Sequence, residues 1–470
     1  MRKLRVWNMA GVLLLWAATA MASHAQTFKT LVNFNSTNGA NPVYPGLVQG
    51  IDGNLYGTTL GGGVNLSGTV FKLTPAGKLT TLYNFCSQTN CADGALPQAG
   101  LTLGTDGSFY GTTSQGGSAS DDGVVFRIDT RGVLTILHTF DLSDGAQPFA
   151  PPIQGADGNF YGTTTGGGPY NAGTVFKMTP EGVLTTLHDF EGDGASPLGT
   201  LVQAINGDLY GTTELGGSNG DGTIFRVTTG GTFTSLLSFN SNNGNAPSSG
   251  LIQGIDGDLY GTTYNGGSST TCENGCGTIY KISLSGTLTT VYNFDLTDGA
   301  NPVAPLILGS DGNFYGTTYA GGNSTKCFEG CGTIFNFTPG GSLTTLHSFA
   351  LGDGAQPYGS VTQATGGNFY GTTTQGGSDS DGTAFGLSTG LGPFVSLVRN
   401  PAKVGQTFGV LGQGFTGTTG VSLNGTAATF TVKSNTLLEA KIPVGAKTGY
   451  VTVTTPSGTL KSDVPFVVLP

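Results

Sequence analysis

The sequence predicts an all-β protein, a seven-bladed β-propeller followed by a small immunoglobulin-like β-sandwich, and three observations carry that prediction. The tetrapeptide Tyr-Gly-Thr-Thr occurs seven times, beginning at Tyr56, Tyr110, Tyr161, Tyr210, Tyr260, Tyr315 and Tyr370, at intervals of 49 to 55 residues. Each copy lies within four short runs of β-branched and aromatic residues separated by Gly, Asp, Asn and Pro, the pattern of strands and tight turns. Beyond residue 25 no long stretch keeps a 3.6-residue apolar period. A four-strand unit of about 50 residues is the size of a propeller blade, which buries both faces only when neighbours stack on it.

The elements follow in chain order. Residues 1–25 carry Arg2, Lys3 and Arg5, an apolar stretch over 10–21 and a small-x-small site at Ser23-His-Ala25, which reads as a secretory signal peptide with the mature chain starting at Gln26. The apolar core is shorter than the ~20 residues a membrane span needs. The fifth repeat shows the unit in full: Gly250-Leu-Ile-Gln-Gly, Asp256-Gly-Asp-Leu-Tyr-Gly-Thr-Thr, Gly277-Thr-Ile-Tyr-Lys-Ile and Thr287-Leu-Thr-Thr-Val-Tyr-Asn-Phe. The fourth-strand pattern follows the first six copies, at 79–85, 134–140, 184–190, 233–239, 288–294 and 343–349, and has no counterpart after the seventh. Residues 27–34 match it and precede the first copy, so they are expected to complete the last blade and remove its open edge. The propeller thus spans 26–393, and Gly390-Leu-Gly-Pro393 is the hinge to a second domain at 394–470, with strands at 407–411, 420–423, 427–432, 437–442, 449–454 and 464–469. An Asn424-Gly425 hairpin signal supports a sandwich there.

Composition narrows the function. Only 10% of residues are charged and the formal net charge is −10, which leaves no basic footprint for nucleic acid or anionic membrane. Of 28 acidic residues only six are Glu, and most of the Asp fall in turns, where the side chain bonds its own backbone. The six cysteines form local pairs, Cys86/Cys91, Cys272/Cys276 and Cys327/Cys331, in the three longest repeats. An oxidising compartment favours three small disulfide loops; the alternative is a zinc site drawn from Cys272, Cys276, Cys327 and Cys331.

The repeated Gly-Leu-Val/Ile-Gln-Gly, Asp-Gly-Asn-Leu/Phe-Tyr-Gly-Thr-Thr and Gly-Thr-Val/Ile-Phe-Lys-Leu segments over 27–393 resemble the GloVer tandem repeat of bacterial "choice-of-anchor" surface proteins. The end of the chain, with Val421-Ser-Leu-Asn-Gly-Thr-Ala-Ala-Thr-Phe and Pro456-Ser-Gly-Thr-Leu, is similar to the IPT/TIG immunoglobulin-like domain. The resemblance implies a secreted or surface-displayed bacterial protein, extracellular or periplasmic. The C-terminus shows no sorting signal of the kind that gives those proteins their name.

Candidate chemistry is thin. Of four histidines, His24 is in the leader, and His138, His188 and His347 share one column of the outermost strand, where the ring holds them apart. The recurring first-turn acids Asp52, Asp106, Asp157, Asp256 and Asp311 become Asn206 and Gly366 in two copies, as suits a turn residue. A glycosidase needs two facing carboxylates, and only asymmetric loop acids such as Glu214, Glu273 or Glu329 offer one. The expectation is therefore a protein without catalysis and without a cofactor.

Binding is the stronger reading. With strands alternating in direction, the loop between strands two and three shares a face with the inter-blade link, and that face collects the Cys pairs and the Asp/Asn-Gly-Ala-x-Pro turns. Variable loops on a rigid scaffold are the usual place of recognition. Tyr170, Tyr264, Tyr319 and Phe328 are the aromatic candidates for stacking on sugar rings. Asp121, Asp122, Asp221, Asp379 and Asp381 are calcium candidates, because alternate acids in a turn converge on a hard cation; the competing reading is ordinary Asp-Gly turns. Gln49, Gln154, Gln203, Gln253 and Gln363 form an inner column, replaced by Leu103 and Leu308 in two copies, and are expected to bridge neighbouring blades. The function expected is recognition of an extracellular glycan or surface protein, with the second domain as spacer or docking module; the alternatives are a structural envelope component and a carbohydrate-active enzyme.

Overall fold

The computed structural model describes residues 26–42 and 46–469. The leader read at 1–25 lies outside them. Among the described residues the chain is strand, turn and loop, with a single 3-10 turn at Thr89–Cys91, and no helix is long and apolar enough to cross a membrane. Each of the first six repeats forms a four-stranded antiparallel sheet with its strands in sequence order. The fifth, for example, pairs Ile252–Gln253, Leu259–Thr263, Thr278–Ile282 and Leu288–Asn293. The seventh supplies Thr362–Gln363, Phe369–Thr373 and Thr383–Ser388, and its fourth place is taken by Thr27–Asn33, antiparallel to Thr383–Ser388. These repeated sheets make an all-β fold of the β-propeller type. Each outermost strand carries a bulge, at Leu187 opposite Val175 and Phe176 in the third sheet and at Leu31 between Thr30 and Val32 in the last, and bulged edges resist pairing with other chains.

Contacts explain why the tetrapeptide recurs. In five repeats its Tyr hydroxyl donates to the first-turn Asp, as Tyr56 does to Asp52 at 2.9 Å and Tyr161 to Asp157 at 2.8 Å. Its ring packs on the Phe or Leu that opens the same strand of the next sheet, Tyr56 on Phe109 at 4.2 Å, Tyr110 on Phe160 at 4.0 Å, and Tyr161 in one cluster with Leu209. In five repeats its first Thr ties the sheet to the link entering the next one, as Thr58 donates to Ala99 O at 2.7 Å and Thr212 to Ser249 O at 2.8 Å. Its second Thr meets the Thr that opens strand three, Thr59 with Thr69 at 2.8 Å. Its Gly lies under the strand-three aromatic: a Cβ on Gly211 would sit 2.5 Å from Phe225 Cζ.

One sheet departs from this pattern. Where the others carry Phe71, Phe126, Phe176, Phe225, Phe335 and Phe385, the fifth has Tyr280, buried, with its hydroxyl paired to no protein group. A buried unpaired hydroxyl costs ~1–3 kcal/mol. Tyr280→Phe is therefore expected to raise stability by about 1 kcal/mol, read as a higher denaturant midpoint at unchanged slope. A lower midpoint would show that a buried water satisfies the hydroxyl.

Amide side chains join neighbouring sheets near the centre. Gln154, Gln203, Gln253 and Gln363 each accept, at 2.8 to 2.9 Å, a backbone N–H from the first turn of the preceding sheet, at Thr105, Ala156, Ile205 and Ser310. Gln49 accepts from Thr365 at 2.9 Å, across 316 residues, and so joins the first sheet to the last. The two leucines in this column have a separate task. Leu103 packs with Val398, Leu411 and Leu437 of the C-terminal segment, and Leu308 belongs to the cluster that receives Val464.

That segment has its own core. Two four-stranded sheets, one holding Thr407–Leu411 and Leu437–Lys441, the other Gly420–Leu423 and Val451–Thr455, enclose Phe408, Phe415, Leu423, Leu438, Val453 and Phe466. Asn424 and Gly425, with φ of 46° and 81°, make the two-residue hairpin turn, a left-handed pair that Asn-Gly tolerates best. Two expected strands differ. The run at 427–432 is split into Thr426–Ala427 and Phe430–Val432, which lie in different sheets because the chain crosses between them at Ala428 and Thr429. The run at 464–469 shortens to Val468–Leu469, since Pro465 cannot donate to a ladder. The segment is seated on the first-turn end of the ring: Thr436 Oγ1 donates to Ile51 O at 2.6 Å, Phe394 N to Thr365 O at 3.1 Å, and the Arg399 guanidinium to Ala156 O.

Candidate functional site

The opposite end of the ring is built by the Asp/Asn-Gly-Ala-x-Pro turns. One oxygen of the turn acid takes an N–H of its own loop, Asp144 from Asp141 at 3.2 Å and Asp353 from Ala350 at 2.8 Å. The other meets a donor on the outermost strand, His138 with Asp144 at 2.8 Å, His347 with Asp353 at 3.0 Å and Tyr83 with Asp93 at 2.8 Å. His188 stands 3.0 Å from Asp193, at ion-pair distance but off the line of a hydrogen bond. Burial is the largest influence on the Asp353 carboxyl and raises it, but the His347 hydrogen bond, the Ala350 N–H and the charge of His347 act together against it and hold the group below the usual carboxylate range. Where the strand offers Val32 or Leu237 instead, the turn residue is Asn38 or Asn243. The histidine column thus pins turns and does not gather at a site.

After the acid, the x residue bends the chain. From Asn41 to Gln356 all seven have φ between 51° and 56°, a left-handed conformation that is uncommon without Gly. Their carbonyls receive the N–H of the residue after Tyr-Gly-Thr-Thr, as Ser196 does from Glu214 and Asn301 from Tyr319, both at 3.1 Å. The following Pro then carries the next side chain inward. Two columns consequently converge: the residue after the tetrapeptide and the residue after the Pro.

They line a cavity of about 440 Å³. The first column gives it Glu214, Tyr264 and Tyr319, the second Gln98, Phe149, Ser248 and Tyr358. Strands or links of all seven repeats contribute to its wall, which puts it on the axis. Tyr319 and Tyr358 stand edge to face at 5.5 Å. Ser248 donates to Glu214 at 3.3 Å, and burial pushes the Glu214 carboxyl up against that bond. Burial also pushes the Tyr264 hydroxyl up, with Tyr319, Glu329 and Glu214 adding to it. Below it, between the links that enter the third to sixth sheets, lies a space of about 10 Å³ beside Gly199, Thr200 and Gly250. At the far end it is walled by the first strands together with Ser396, Leu397, Val398 and Leu411 of the C-terminal segment. The cup is therefore open on the loop side and blind below.

The candidate residues divide. Tyr264 and Tyr319 reach the cup. Tyr170, 54% exposed, interacts with Glu191 just past an outermost strand, and Phe328, 91% exposed, projects from a disulfide loop, so neither joins them. The five Asp are spread around the ring and spent on local bonds: Asp121 takes the Gly116 N–H, Asp221 the Asn245 amide at 2.7 Å, Asp379 the Ser378 hydroxyl at 2.6 Å and Asp381 the Ser36 hydroxyl at 2.9 Å. Asp122 is buried beside Asp121 with one oxygen unpaired. Among the described residues no group of three or more His, Cys, Asp or Glu side chains is placed to hold a metal. All six cysteines are joined, Cys86 to Cys91, Cys272 to Cys276 and Cys327 to Cys331, which removes the zinc alternative. Of the three loop glutamates only Glu214 lines the cup, and among the described residues no second carboxylate does. Sequence reasoning missed Gln98, Phe149, Ser248 and Tyr358. Their signal was present: the position after each link Pro varies while its neighbours repeat.

Comparisons with known proteins place this geometry. The family model described as Gloeobacter/Verrucomicrobia repeat matches residues 17–153, 100–272 and 268–437. No curated protein matches the chain. Among solved structures, virginiamycin B lyase from Staphylococcus aureus is similar over 77% of this chain and 99% of its own, with a TM-score of 0.51 at 16% identity. A putative 6-phosphogluconolactonase from Bacteroides fragilis covers 68% of this chain and 88% of its own, with a TM-score of 0.45 at 17% identity. At such identity the first likeness speaks to fold alone.

Proposed function

The chain belongs to the Gloeobacter/Verrucomicrobia repeat family, and from that premise we propose that it is a non-catalytic, exported binding protein: a seven-bladed propeller that takes its ligand in the axial cup, with an immunoglobulin-like IPT/TIG-type domain seated beneath. One observation carries the reading. The inner positions of the sheets repeat, whereas the residues of the two columns that line the cup differ from repeat to repeat except at Tyr264 and Tyr319, and a surface that breaks a repeat's symmetry is one shaped for something other than packing. Export is supported by the three disulfides and by the leader-like residues at the start of the sequence. Resemblance to "choice-of-anchor" repeats makes the cell surface the expected place of work, and a glycan or surface protein the expected partner.

The test is retention of the purified 26–470 chain on cell-envelope material and on a glycan array, with and without calcium, for the native sequence and for a Tyr264→Ala/Tyr319→Ala variant of equal melting temperature. Saturable binding lost in the variant supports the reading. Turnover of the bound material, abolished by Glu214→Gln, would replace it with the enzyme alternative. Binding that the variant leaves intact would move recognition away from the cup.

A further inference from the structure

Resting on that reading, we infer that the cup receives the uncharged terminal residue of a glycan, end on, and that Glu214 is the specificity-determining residue that turns away acidic sugars. Shape comes first. A cavity of about 440 Å³ lies in the range of small-ligand sites, and the C-terminal segment, which walls the far end of the ring, stands across the path a threading polymer would need. Only a chain end can fill such a blind site.

Chemistry selects the kind of end. Phe149, Tyr264, Tyr319 and Tyr358 give apolar ring surface, which suits the C–H faces of a pyranose. Interleaved with them are neutral side chains that both donate and accept, among them Gln98, Gln356 and Gln375, the complement that ring hydroxyls require. Among the described lining residues none is Lys, Arg or His, and Glu214 is the single carboxylate. A carboxylate-bearing or phosphorylated sugar would place its charge beside Glu214 with no cation to offset it. Several neutral hydrogen-bonding groups against one acid, itself engaged by Ser248 at 3.3 Å, favour a polyhydroxylated ligand over an ammonium.

The experiment uses the 26–470 chain on an array of glycans ending in neutral, amino and uronate residues, with a cyclic glucan as competitor. The expected result is binding confined to neutral ends, at least tenfold weaker for uronate ends, and no competition by the cyclic glucan. Glu214→Gln should bring uronate-ended glycans to within about threefold of neutral ones, compared on the same variant. Preference for amino ends, equal uronate binding by the native chain, competition by the cyclic glucan or a Glu214→Gln profile identical to the native one would each overturn the inference. If no glycan binds while envelope material is still retained through Tyr264 and Tyr319, the sugar assignment fails and the binding function stands. If neither is retained, both fail.

Discussion

A chain lacking residues 26–34 is expected to lose its cooperative fold and aggregate. The reason is placement: Thr27–Asn33 supplies the fourth strand of the sheet that otherwise comes from the far end of the chain, pairing residue by residue with Thr383–Ser388. Phe34 is fully buried in a cluster that joins Leu55, Phe71 and Leu73 of the first sheet to Tyr370 and Ala384 of the last, so the segment closes the ring in its core as well as in its backbone. Removal exposes a strand edge, which invites pairing with other chains, and frees the ends of a fold made of long-range contacts. Phe34→Ala alone is expected to cost ~3–5 kcal/mol. Light scattering and denaturant unfolding would measure both effects, and a synthetic 26–34 peptide added to the truncated chain should restore a monomer. An unchanged midpoint after truncation would mean that a three-stranded sheet suffices, and the closure argument would fall.

Gly211→Ala is the second change with a large expected effect. The added methyl would lie 2.5 Å from Phe225 Cζ and 2.7 Å from Leu201 Cδ2, inside a cluster with no room to yield, and overpacking of this kind costs ~1–3 kcal/mol. A smaller ring neighbour should relieve it, so Gly211→Ala combined with Phe225→Leu is expected to be less destabilised than the sum of the two single changes. Denaturant midpoints of the four proteins form the cycle. Additive losses would show that the glycine is needed for its backbone and not for the space it leaves.

How much of this was legible in the residues depends on the distance over which each contact acts. The four runs of each repeat, the tight turns and the Asn424-Gly425 hairpin are set by local patterning, and they could be read one residue after another. The fourth-strand likeness of residues 28–34 was also visible, because a missing partner leaves a mark in a repeat. The division of Tyr170 and Phe328 from Tyr264 and Tyr319 was not visible: all four lie in or beside loops on the same side of the repeat, but two directly follow the tetrapeptide and point to the axis, while two lie farther along and face outward. The Asp residues, which in sequence allow either an ion ligand or an ordinary turn, accept hydrogen bonds from serine, asparagine and backbone groups beside them.

The sequence by itself determined the all-β class and the repeat, since strand periodicity and turn chemistry are properties of neighbouring residues, and the structure decided between disulfides and zinc for the cysteines. Only the tertiary structure decided where the working surface lies. Lining residues such as Gln98, Phe149, Ser248 and Tyr358 after the link prolines are about 50 positions or more apart in the chain and meet only because the ring turns them toward the axis. Leu103 and Leu308 likewise read as lapses in a glutamine column until the C-terminal segment is seen packed at both positions. A cup open at one end and covered at the other is a relation between distant segments, fixed by packing that local propensity does not encode.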